Sequence, residues 1–246
     1  MRSLSRALSV IEVLTRSAHP LSLSEVAERS SLTPSTAKRI LHTLEAFAMV
    51  RQTRRRYAIG EMAAPMAQSF LDNDPVRRVA APELERFARS TGLTASLYVR
   101  HGSERILVAR VEGEEDLPYR LQLGKLMPLT RGAGKILLAA EDDSEIASVL
   151  ADARTLGHEP DSTTIDDIRA RIGDARDQGF SLSEGERVAG ILAIAVTLPA
   201  PASERGLPLY ALSASGPQRA VSRDRIVELV PSLQNLAHAL SVNLVG

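Results

Sequence analysis

The sequence predicts an α+β protein, with a winged helix-turn-helix at its N-terminus and a larger domain of sheet and helices behind it. Three observations carry that reading. Residues 21–47 read as two short helices joined by a tight turn, each with its own start signal. A basic hairpin pattern follows at 49–59. Beyond Pro75, strand-like runs fall in two groups with helical runs between and around them, which suggests an α+β sheet domain of roughly 170 residues.

In the N-terminal part, Leu4, Ala7, Leu8, Ile11 and Leu14 recur at helical spacing, so a first helix is predicted over 4–14, ending before His19 and Pro20. Ser22 and Glu25 form an S-x-x-E capping box that starts a second helix, running to about Arg29. Thr33 can cap a third, and Pro34 suits its first position, where a missing N–H costs nothing. There Ala37, Ile40, Leu41, Leu44 and Ala48 make a stripe to bury. Ser35, Thr36, Lys38, Arg39, His42 and Thr43 fill the other face, all donors or cations. A DNA major groove accepts such a helix. Lys38, Arg39 and His42 are the expected base or phosphate contacts, and Ser35 and Thr36 would hold backbone phosphate at the helix start. Met49–Thr53 and Arg56–Ile59 are predicted as strands around Thr53-Arg54-Arg55, closing at Gly60. On this wing Arg54, Arg55 and Arg56 would reach phosphates or the minor groove.

Glu61–Leu71 is amphipathic enough for a helix, and Asp72-Asn73-Asp74-Pro75 breaks it, so the expected division is a DNA-binding domain at 1–60, a linker helix at 61–75 and a second domain at 76–246. Val76–Ser90 reads as a helix with Val79, Ala80, Leu84, Phe87 and Ala88 inward; Pro82 must kink it or sit near its start. Strands are predicted at Thr94–Arg100, Arg105–Val111 and Tyr119–Leu123. Helices follow at Gly132–Ala140, Ser144–Ala153 and Thr164–Gly179. Further strands are predicted at Phe180–Leu182, Ile191–Leu198 and Leu207–Ser215, and a long helix at Ser222–Val245.

Charge divides the same way. Residues 1–60 hold ten Lys and Arg against four Glu, a net +6, and the remaining 20 basic and 26 acidic residues leave −6. A basic head on an acidic body suits a head that meets phosphate. The chain has no cysteine, so neither a disulfide frame nor a thiolate metal site is available. With no apolar run of spanning length and no secretory signal pattern, a cytoplasmic protein is expected. Enzyme signatures fail on inspection. RGAGK lacks the glycine and the Ser/Thr that a phosphate-binding Walker loop needs, since Leu129 and Ile136 stand there. His19, His42, His101, His158 and His238 are scattered, without metal-ligand spacing. No G-x-S-x-G elbow is present. Glu184 and Glu186 read as a solvated strand end rather than a catalytic carboxylate pair. No catalytic residue, metal or cofactor is expected.

The order of motifs resembles the IclR family of bacterial transcription regulators nearly end to end. SLSRALSVIEVL, LSLSEVAERSSLTPSTAKRILHTLEAFAMV and YAIG are similar to that family's DNA-binding domain. GLTASLYV, VARVEG, PLTRGAGKILLA, DQGFSLSEGE, GILAIAV and ALSASGP follow in the order of its effector domain. The resemblance implies a GAF-like effector-binding domain and a linker helix that aids dimerisation, in a homodimer or homotetramer. It also implies double-stranded operator DNA and a small organic-acid or aromatic effector as partners, with repression the expected mode. Carried over by motif, Gly132 and Ala133 would offer backbone N–H groups to an anion at a helix start. Ser213 and Ser215 would point hydroxyls to one face of a strand. Ser183 and Ala193 stand where the family often has an acidic residue and a cysteine. The stretch before RGAGK is one residue shorter than the family pattern and contains Arg131. Blander roles stay open at this point: strand-end hydrogen bonds for the serines, a tight turn for Gly132 and Gly134, a surface ion pair for Arg131. Two other classes also stay open, a metabolite-processing enzyme with a DNA-binding head and a ligand-free DNA-binding or oligomerisation protein.

Overall fold

The structure, a computed structural model, describes residues 2–115, 117–155, 164–198 and 209–243. The chain forms two compact parts, a head of residues 1–73 and a body of residues 74–246.

The head runs α1 (Arg2–Arg16), β1 (Leu21–Ser22), α2 (Leu23–Arg29), α3 (Pro34–Ala46), β2 (Val50–Thr53), β3 (Arg56–Ile59) and α4 (Ala63–Asn73). Both start signals act as predicted. Ser22 Oγ accepts the Glu25 N–H, while the Glu25 carboxylate accepts the Ser22 N–H at 2.8 Å. Thr33 Oγ1 accepts the Thr36 N–H at 3.3 Å, with Pro34 at the first helical position. Val10, Leu14, Leu21, Val26, Leu41, Val50 and Tyr57 make the core.

Three head expectations are corrected. Leu4 and Leu8 are exposed; α1 packs through Val10 and Leu14, and at about 100° per residue Leu8 and Leu4 lie well off that seam. Helix α3 stops at Ala46, and Ala48, at φ 54°, turns the chain toward β2 instead of extending the buried stripe. The short β1 was not expected; it pairs antiparallel with β3, Leu21 opposite Tyr57, to give the order β1-β3-β2. Helix α4 buries none of its residues within the chain, and Met66 and Phe70 on it are exposed, as is Met62 just before it.

The body contains α5 (Pro75–Thr91), β4 (Thr94–His101), β5 (Glu104–Val111), β6 (Leu126–Pro128), α6 (Gly134–Ala139), α7 (Asp143–Thr155), α8 (Ile165–Gln178), β7 (Ser181–Glu184), β8 (Ile191–Leu198), β9 (Tyr210–Pro217), α9 (Arg223–Val227) and α10 (Val230–Asn243). The strands form one antiparallel sheet, β6-β5-β4-β9-β8-β7. Strand alternation gives it two characters. Leu97, Ile194, Val196, Leu212 and Ala214 pack with Ala80, Leu84 and Phe87 of α5 and with Leu233 and Leu240 of α10. The other face sets Tyr98, Leu107, Ala195 and Ala211 against Ile136, Leu137, Ile146, Leu150, Ile168 and Ile172 of α6, α7 and α8. Asp74 ties the first layer together. Its carboxylate accepts the Arg77 N–H at the start of α5 and the Tyr210 hydroxyl of β9 at 2.8 Å, both in the interior.

Several body boundaries differ from expectation. Pro82 lies inside α5, whose start is set instead by Asp74 and Pro75. Tyr119–Leu123 is a loop, not a strand; the chain turns at Gly124 (φ 79°), and the third strand is β6, paired with β5 at Glu104–Ile106. The helix expected from Gly132 to Ala140 is only six residues, Gly134–Ala139. Strand β7 begins at Ser181 and extends to Glu184. Strand β9 begins at Tyr210; residues 207 and 208 lie outside the described residues, as do His158 and residues 244 and 245. The long C-terminal helix is two helices, because Pro231 has no N–H to continue the ladder from Val227.

Candidate functional site

The head presents a cationic face built from α3 and the wing. Lys38, Arg39 and His42 are exposed along α3, with Ser35 exposed and Thr36 half-buried in its first turn. Thr36 is partly engaged, since its hydroxyl accepts from Thr33 Oγ1 at 2.9 Å. The wing turn consists of two residues, Arg54 at φ 50° and Arg55 at φ 61°. Two left-handed residues are the backbone of a type I′ hairpin, which Asn-Gly usually fills. A non-glycine residue there carries roughly 1–2 kcal/mol of strain, so the head holds two guanidinium groups at its tip at a conformational cost. Arg56 is directed elsewhere. It donates to the Pro20 carbonyl at 2.9 Å and pairs with Glu25 at 3.3 Å, bracing the wing on α2 rather than standing clear for phosphate.

In the body, a cleft opens on the sheet face that carries α6 to α8. Its cavity volume is about 50 Å³. Gly132, Ala133, Ser183, Ala193, Ser213 and Ser215 all line it, so the six positions carried over by motif come together. The register explains how: Ser183 lies opposite Ala193, and Ala193 opposite Ser215, in one row across β7, β8 and β9. Tyr98, Arg105, Tyr119, Arg131, Glu186 and Arg187 complete the wall.

In the RGAGK segment one of the two expected anion donors is already taken. The Gly132 N–H donates to Glu186 at 2.8 Å. Lys135, only 2% exposed, donates to Glu186 and, at 2.8 Å, to the Leu182 carbonyl. Arg171 reaches the same carboxylate at 2.9 Å. Burial raises the Glu186 pKa, but Lys135, the Gly132 N–H and Arg171 together outweigh it and hold the carboxyl below its ordinary range. Glu186 is therefore a buried anchor and not a solvated strand end, whereas Glu184 is exposed and paired with Arg223. Both glycines of the segment are structural. Gly132 is left-handed at φ 56°, and a Cβ on Gly134 would come within 2.3 Å of the Leu129 carbonyl oxygen.

Arg105, which the sequence showed only as the start of a strand, is 3% exposed. One guanidinium nitrogen donates to the Pro128 carbonyl, and the group lies 5.2 Å from the Tyr98 ring centre. Its Nε–H has no partner among the described residues, and burial pulls its pKa down to about 10. Arg187 is exposed and stacks on Tyr119 at 4.2 Å. Among the described residues, no group of three or more His, Asp or Glu could hold a metal ion, and no helix is long and apolar enough to cross a membrane.

Comparison with known proteins follows this division. The family described as bacterial transcriptional regulator IclR C-terminal matches residues 68–242, and the IclR helix-turn-helix domain matches residues 3–54. The chain belongs to the IclR family. Among its IclR relatives, the HTH-type transcriptional repressor AllR of Escherichia coli K12 is 27% identical over 99% of this chain and 90% of its own length. An IclR family regulator from Brucella abortus superposes with a TM-score of 0.85 at 23% identity, covering 99% of this chain and 92% of that one. An IclR homologue from Microbacterium hydrocarbonoxydans, solved with 4-hydroxybenzoate, superposes at 0.68 with 21% identity, covering 98% of both chains. These likenesses support the IclR fold, a helix-turn-helix head followed by a curled-sheet effector-type domain. They also make the chain a regulator of transcription by family.

Proposed function

We propose that this IclR-family chain is a repressor whose affinity for operator DNA changes when a small organic or aromatic acid enters the body cleft. The observation that carries this reading is the pairing of two built faces in one chain. One is an α3 surface of Lys38, Arg39 and His42 beside a strained Arg54-Arg55 tip. The other is a cleft lined by Ser183, Ala193, Ser213 and Ser215 together with arginines. The name of the AllR relatives supports repression, and the 4-hydroxybenzoate held by the Microbacterium homologue supports an acid effector.

In this reading residues 1–60 bind DNA, 61–75 form a linker helix, and 76–246 bind the effector. Lys38, Arg39 and His42 read bases or phosphates in the major groove, Ser35 and Thr36 hold phosphate at the start of α3, and Arg54 and Arg55 add wing contacts. Arg56 contributes through its brace. A homodimer or homotetramer would set two α3 helices about one DNA turn apart on a near-palindromic site. The apolar side chains Met62, Met66 and Phe70, exposed in the single chain, support self-association. The effector switches transcription by binding the two arrangements of the dimer with different affinity. The cleft binds without turnover, and the protein works in the cytoplasm, beside the chromosome.

The test is a mobility shift with the protein's own upstream intergenic DNA, at two salt concentrations and with excess competitor. A discrete competitor-resistant complex is expected, and an acid that fits the cleft should weaken it. If selection from random DNA also yields no preferred sequence, the regulator reading fails.

A further inference from the structure

The cleft holds a cation that makes no direct ion pair among the described residues. Among the described residues Arg105 makes no direct ion pair and its Nε–H is buried without an acceptor; it touches one carbonyl and one aromatic ring, and Glu186 acts on it only through space. Burial lowers its pKa only to about 10, so it stays charged at neutral pH. Uncompensated buried charge is among the costliest things a fold can keep, and such charges ordinarily pair or move to solvent. Arg105 does neither, and it lines the cleft.

Three neighbouring cations are committed elsewhere. Lys135 and Arg171 are held by Glu186, and Arg187 is exposed and stacked on Tyr119. The Gly132 N–H is spent on Glu186 as well.

We propose that Arg105 is the anion-reading residue of this cleft, and that its ligand is a small organic acid whose single carboxylate seats on the Arg105 guanidinium, with the Ser213 and Ser215 hydroxyls on the same wall. The proposal rests on the ligand-responsive reading above and adds the residue and the charge of the ligand. A guanidinium fork matches carboxylate and phosphate alike. Glu186 decides between them, because its carboxylate also faces the cleft and a second negative charge would meet it. The Tyr98 ring and Ile191 favour a ligand with an apolar body over a bare inorganic ion.

The test uses full-length protein, thermal melting and calorimetry, with benzoate, 4-hydroxybenzoate and pyruvate as probes. Each acid is matched to its uncharged amide, and inorganic phosphate is a further arm. At least one acid should raise the melting temperature while its amide does not. Arg105→Met should weaken that acid's binding by roughly 30-fold or more, and Arg105→Lys should fall between. Ligand-free Arg105→Met should melt no lower than wild type, since a buried charge without a direct partner has been removed. If that variant folds poorly, Arg105→Gln and the acid–amide pairs still decide. Amides binding as well as acids, unchanged acid binding in Arg105→Met, or phosphate binding more tightly than every acid would overturn the proposal. So would a protein that shifts its operator while no acid moves its melting, which would leave the regulator reading standing. Acid binding through Arg105 in a protein with no DNA preference would do the reverse.

Discussion

In the head, Arg39, Arg54 and Arg55 stand in solvent, and the fold makes little use of their charge. In the body, Arg105 and Lys135 are almost wholly buried, and Glu186 is held by three donors at once. The two regions show two ways of keeping charge at a functional face. A DNA surface needs cations that water can reach until phosphate replaces it, so each costs little stability and contributes salt-dependent affinity. A small cleft must desolvate its ligand, so its charges are placed in advance and the surrounding packing must tolerate them. Substitutions that strand a buried charge or hydroxyl in the body should therefore register in stability, and loss of an exposed head cation should register in DNA binding.

The largest expected effect tests the body. Lys135→Met leaves Glu186 buried with only Arg171 and the Gly132 N–H, and should cost about 3 kcal/mol in urea unfolding. Adding Glu186→Leu should return much of that loss. A Lys135→Met protein as stable as wild type would break the contrast. Next, Asp74→Ala removes a helix cap and strands the buried Tyr210 hydroxyl, for about 2 kcal/mol of body stability with no change in DNA affinity.

Head substitutions should read the other way. Arg39→Ala should weaken operator binding by roughly 1–3 kcal/mol in a footprint titration at fixed salt, while melting stays put. Replacing Arg54-Arg55 by Asn-Gly should relieve the turn and stabilise the head by about 1 kcal/mol. It should also flatten the dependence of log K on log salt by about two. An unchanged slope would remove the tip from phosphate contact.

The last effect is one of direction. Glu186 has its folded pKa below the ordinary value of 4.5, so its contribution is present above that value and is lost as pH falls through the folded pKa. Glu186→Gln should be less stable at neutral pH and should lose less on acidification from about pH 5 downward. An acid-melting profile identical to wild type would show that the clamp does not couple to folding.

What the sequence made legible was local chemistry. Ser22 with Glu25 and Thr33 with Pro34 announce their helices because a cap is decided within four residues. The family motifs placed Ser183, Ala193, Ser213 and Ser215 on one wall because strand alternation fixes which side chains share a face. The rest depended on distant partners. Nothing near Glu186 in sequence says that Lys135 and Gly132, more than fifty residues away, will bury it. Strand β6 forms at Leu126–Pro128 because β5 offers an edge there, while Tyr119 is drawn to Arg187 and Arg110. Arg56 looked free until Glu25 and Pro20 folded beside it.

Arg105 was illegible for a different reason. Leu97 pairs with Ala109 but Tyr98 pairs with Leu107, so the register slips by one residue and Val108 is the extra one. Plain alternation from Ala109 would have sent Leu107 and Arg105 toward α5; the slip turns both to the cleft side. The bulge thus absorbs one extra residue of β5 and keeps Leu107 and Arg105 in the cleft row. Removing Val108 would restore plain alternation with Tyr98 still opposite Leu107 and Arg100 still opposite Arg105, so the guanidinium would keep its place in the cleft. A three-nucleotide deletion at the Val108 codon would therefore change the length of the gene and leave the ligand-facing row of β5 as it was.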